Sequence, residues 1–108
     1  MNYRVGLAVL FVWAPTQAAV YLVGPGMPYE TPSAVAEVAR DGDTVEIEMA
    51  TYDGDVAIWT QNNLTIRGVG GRPHLRARGK SAEGKAIWVI KGDNAVIENM
   101  EFSGARVS

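Results

Sequence analysis

Three short strand-like segments recur in the same order after Gly42, and this repetition constrains the fold of the 108-residue chain more than any other feature. Ala57-Ile58-Trp59 returns as Ala86-Ile87-Trp88, a shift of 29. Asn63–Val69 is echoed by Asn94–Met100 at a shift of 31, and Val45-Glu46-Ile47-Glu48 matches Leu75-Arg76-Ala77-Arg78 in pattern at a shift of 30. Inside the segments apolar and polar residues alternate, as Val45, Ile47 and Met49 do with Glu46 and Glu48, so each is a strand with one buried face. A β-sandwich has no need of so regular a recurrence. A solenoid whose coils each contribute three strands produces it.

The charges give a second reading of the same register. Residues one coil apart in a parallel solenoid stack at about 4.8 Å. A shift of 30 sets Glu46 against Arg76 and Glu48 against Arg78, and a shift of 31 sets Arg67 against Glu98. Each pair is worth only about 0.2–1 kcal/mol, but a one-residue slip would turn all of them inward, so they fix the alignment.

Ahead of the repeat the pattern differs. Val20–Val23 reads as a strand ended by Gly24-Pro25-Gly26. Thr31 is placed to cap a helix with Pro32 at its first position, and Val35, Val38 and Ala39 share one face of a helix over Ser33–Arg40. Asp41-Gly42 stops it. Residues 1–18 have the layout of a secretory signal peptide: Arg4, an apolar run from Val5 to Trp13, then small residues at −3 and −1 for cleavage after Ala18. The run is too short for a bilayer span, which takes about 20 apolar residues. The expected mature chain is 19–108, extracellular or periplasmic, held by packing because it has no cysteine.

Gly42-Asp43-Thr44-Val45-Glu46-Ile47, Ala50-Thr51-Tyr52 and Asn63-Leu64-Thr65-Ile66-Arg67-Gly68 together resemble the opening of right-handed parallel β-helix proteins of the pectate-lyase-like superfamily. Asn94–Gly104 resembles the repeat of that family, an Asn-led strand followed by a short apolar strand and Ser-Gly. The resemblance implies an all-β parallel β-helix with a short N-terminal helix plugging one end, here Pro32–Arg40. It also implies a polysaccharide-active protein of lyase, esterase, hydrolase or epimerase type, or a relative without enzyme activity that binds surfaces. Where the family uses calcium or catalytic acids, they lie on middle coils. No catalytic residue of the family maps onto this chain, and calcium is expected only on further coils.

The residues themselves offer few chemical constellations. His74 is the only histidine, no serine sits in a nucleophile elbow, and a Ser-His-Asp triad has no support. His74 is expected to face solvent beside Thr44. Asp53-Gly54-Asp55 has two oxygen ligands to offer calcium, but reads first as a turn. A net charge of −2 gives no reason to expect nucleic acid. Arg72, Arg76, Arg78, Lys80 and Lys85 form a basic stretch open to two readings: partners for the preceding coil, or attraction for an acidic polysaccharide. Trp59 and Trp88 also leave two orientations open. Outward, they form a flat apolar platform for a sugar ring; inward, they join the core and leave Ile58, Ile87 and Val89 to be covered. The candidate carbohydrate-binding residues are therefore Trp59, Trp88, Arg76 and Arg78. A solenoid needs about three or more repeats and two caps. The chain is accordingly expected to be the N-terminal cap and first two to three coils of a longer β-helix, with further coils or a partner at its last edge.

Overall fold

A computed structural model describes residues 17–106. Nine short strands and one helix follow in order: β1 (Val20–Val23), α1 (Pro32–Ala36), β2 (Thr44–Glu48), β3 (Thr51–Asp53), β4 (Ala57–Trp59), β5 (Thr65–Val69), β6 (His74–Arg76), β7 (Trp88–Ile90), β8 (Val96–Glu98) and β9 (Glu101–Ser103). They form three sheets, ordered β1-β2-β5-β8, β3-β6-β9 and β4-β7, and every ladder between these strands is parallel. The chain is a parallel β-helix, as the repeat indicated, of about four turns rather than the two to three coils expected after the cap.

The alternation seen in the sequence builds the core. Val45, Ile47, Ile66, Leu75 and Tyr52 point inward and are buried, stacked rung on rung with Val23 from the first turn. Burying each large aliphatic side chain contributes about 1.5–3 kcal/mol, which a chain without disulfides depends on. Corners are made by residues with left-handed backbone, notably Asn63, Asn94 and Asn99, with φ of 55°, 60° and 58°. Asn99 also donates from Nδ2 to the carbonyls of Gly68 and Gly71, both at 3.0 Å, fastening one corner to the coil below.

The helix takes the place of a strand at the start of the third face, where it packs against β4 and β1. It is shorter than the expected Ser33–Arg40. Gln61 donates from Nε2 to the carbonyls of Ala36 and Ala39, each at 3.0 Å, and so ends the helix from the coil above. Thr31 occupies the N-cap position but makes no side-chain cap. Asp55 supplies it instead, accepting from the Ser33 N–H at 3.0 Å and from the Ser33 hydroxyl. The expected signal peptide falls mostly on residues 1–16, outside the described residues.

The register requires a correction. Glu46 lies against Arg67, 21 residues on, not against Arg76, and Arg67 Nη2 reaches its carboxylate at 2.9 Å. Glu48 lies against Val69 rather than Arg78. Arg67 stacks on Glu98, as the shift of 31 indicated. The physical reason is that β2 and β6 belong to different sheets, so the likeness between Val45–Glu48 and Leu75–Arg78 is one of pattern, not position. Ala57 likewise pairs with Trp88 rather than Ala86.

Candidate anion-binding face

From Arg72 to Arg78 every second residue is basic, and the residues between them, Pro73, Leu75 and Ala77, are buried. Strand β6 at the centre of this run therefore anchors its apolar side in the core and presents Arg76 to solvent, with His74 half-buried beside it. Because β6 lies between β3 and β9, the outward residues form a small grid. Thr51, His74 and Glu101 make one row, and Asp53, Arg76 and Ser103 the next. Spacing is about 4.8 Å across rungs and about 6.7 Å along a strand.

Each position in the grid is held by its neighbours. Arg76 donates to Asp53 from Nε at 2.6 Å and from Nη2 at 3.0 Å. That hydrogen bond is the largest cause that holds the Asp53 carboxyl below the ordinary carboxylate range; desolvation, the next largest, opposes it, and the charges of Arg76, Arg78 and His74 add to the lowering. His74 Nε2 lies 2.6 Å from Ser103 Oγ. Arg72 donates from Nη2 to the Met100 carbonyl at 3.2 Å. Arg78 is exposed and enters no ion pair among the described residues. Lys80 runs alongside Gly54. Lys85 is drawn away from the row, because Glu83 binds it at 3.6 Å and Lys91 at 2.8 Å.

The four expected binding residues thus divide into two pairs. Arg76 and Arg78 belong to one outward face. Trp59 and Trp88 do not join them: their exposures are 0% and 8%, because in the register Ala57↔Trp88 and Trp59↔Ile90 both indoles point into the core. Of the two orientations open in the sequence, the structure takes the inward one, and the outward platform is overturned. The rings meet edge to face at 5.2 Å, and Trp88 meets Phe102 at 5.0 Å. Ile87 is buried, while Ile58 and Val89 are half-buried. His74 is also displaced from its expected neighbour, standing beside Thr51 and Glu101 instead of Thr44.

The Asp53-Gly54-Asp55 segment is a turn, with Gly54 at φ 70°. Its carboxylates diverge, one to Arg76 and the other to the start of α1. No cluster of three or more metal-ligating side chains occurs among the described residues. Sequence reasoning missed the His74–Ser103 and Asp53–Arg76 contacts, which span 29 and 23 residues. Only the coil lengths bring them together, and nothing local announces those lengths. No family model, curated protein or solved structure matches the chain.

Proposed function

We propose that the chain is part of a secreted β-helix of the pectate-lyase-like kind, and that the β3-β6-β9 face binds an acidic polysaccharide such as a polyuronate. The observation that carries this reading is the basic row Arg72-His74-Arg76-Arg78 in a chain whose net charge is −2. Guanidinium groups match carboxylates bidentately, and a flat parallel sheet lets an extended polymer lie along the row. The hydroxyls of Thr51 and Ser103 flank the cations and suit sugar hydroxyls.

Binding of polygalacturonate, with neutral dextran as control, tests the proposal by calorimetry. Arg76→Glu and Arg78→Glu should each weaken the uronate complex about tenfold, because each places a like charge on the polymer's path. Raising salt from about 50 to about 500 mM should weaken it further, as expected for exposed charges. Equal binding to dextran, or indifference to both substitutions, would remove the proposal. A second reading, surface binding without chemistry, is favoured by the engagement of Asp53 with Arg76, which leaves that carboxylate no free geometry for proton transfer. Growth of absorbance from unsaturated uronates, or of reducing ends, during incubation with polygalacturonate distinguishes a polysaccharide-cleaving protein from that reading.

A further inference from the structure

Asp43 is a carboxylate with 4% exposure, and no ion pair among the described residues includes it. Its two oxygens are both in use. Oδ2 accepts the backbone N–H of Arg40 at 2.8 Å, while the Arg40 guanidinium stays out of the pairing. Oδ1 accepts the backbone N–H of Ala19, also at 2.8 Å, across 24 residues. A buried charge that meets only neutral donors is costly, and a cation at one of those donors would offset the cost.

Ala19 also stands directly before β1. Its carbonyl accepts from the Thr44 N–H at 2.9 Å, and the ladder between β1 and β2 continues from Val20. Gln17 and Ala18 are exposed and precede that ladder. In the secretory reading, cleavage between Ala18 and Ala19 puts small residues at −3 and −1.

We propose that this cleavage completes an ion pair: the nitrogen resting on Asp43 becomes the α-ammonium of Ala19, and processing latches β1 onto the first full coil. The inference rests on the secretory reading for the identity of the processing step. The effect of a free amine at Ala19 stands on geometry alone. An amide N–H that already bonds a carboxylate would be replaced by a charged donor at the same place, turning the hydrogen bond into an ion pair.

The test uses the chain with a protease recognition sequence ending immediately before Ala19, its urea midpoint measured before and after cutting. Cutting should shift the folding equilibrium about tenfold toward the native state, since a carboxylate withdrawn from water gains a full opposite charge in place of a neutral donor. A second version is cut one residue earlier, leaving Ala18 first and moving the ammonium off Asp43; it should gain little. Asp43→Asn should abolish the gain where the variant folds, and the version starting at Ala18 decides the question if it does not. An equal gain in both versions, or none in either, would overturn the latch. N-terminal sequencing of exported protein tests the secretory reading separately. A first residue other than Ala19 would remove the processing step while leaving the stability result intact.

Discussion

Asp53 restrains the residue on which the proposed binding face most depends. Its carboxylate occupies two donors of the Arg76 guanidinium and cancels part of the charge of the row. Asp53→Asn should therefore raise the affinity for polygalacturonate about threefold, opposite in sign to the arginine substitutions, because a competing local anion is removed. The same pair carries a pH dependence. Asp53 has a folded pKa below its unfolded value, owing first to the Arg76 hydrogen bond, so its contribution to stability is present above the ordinary carboxylate range and is lost as pH falls through the depressed value. Urea midpoints of the parent chain and Asp53→Asn should differ at neutral pH and converge in strong acid. Glu83 has the same sign, its carboxyl lowered first by the hydrogen bond from Lys91 and then by the charges of Lys91 and Lys85. Both groups are exposed, so the differences will be small and salt-sensitive.

The alternation of side chains was legible in the sequence because it is local: a strand two residues out of phase still shows its core the same face. For that reason the inward set around Val45, Ile47, Ile66 and Leu75 could be read directly, and the displacement of Ala57 from Ala86 to Trp88 changed no orientation. Coil length was legible only for the turn that sets Arg67 on Glu98. Glu46 and Arg67 are 21 residues apart while Asn62 and Asp93 span 31, so a single average shift misassigns the shorter turn. A double-mutant cycle separates the two registers. Glu46 and Arg67 should show coupling of about 0.2–1 kcal/mol in urea unfolding, and Glu48 with Arg78 should show none. The close approach at Gly68 is a stricter test of the same stacking. A Cβ there would overlap the Asn99 carbonyl and the Pro73 ring, so Gly68→Ala should lower stability by about 1–3 kcal/mol through overpacking. The candidate site was half legible for a related reason. The basic run of β6 is contiguous, whereas its partners Asp53 and Ser103 come from strands whose alignment depends on the coils between.

At the scale of the molecule the two ends differ. At one, α1 covers the third face and is tied down by Asp55 and Gln61. At the other, β8 and β9 are paired on one side only among the described residues, with Val96 48% and Phe102 40% exposed beside a shallow cleft lined by Trp88, Ile90 and Ile97. Such an edge offers its backbone groups and apolar neighbours for pairing, to further coils or to another chain. Val96→Lys should therefore reduce concentration-dependent light scattering without changing the urea midpoint by more than about 0.5 kcal/mol, as for most surface substitutions. Between these ends, the longer turn disposes of its extra residues sideways. Ala82 and Ala86 close a small antiparallel bridge, N–H to carbonyl at 2.7 Å, around Glu83 and Gly84 with φ of 54° and 68°. The excursion is rooted at the buried Ala82 and returns to the stack within a single turn, with Glu83 exposed at its tip. Between Glu83 and Gly84 this protein has a ready berth for foreign sequence, where an epitope or a second binding loop can be carried at arm's length while the ladders keep count undisturbed.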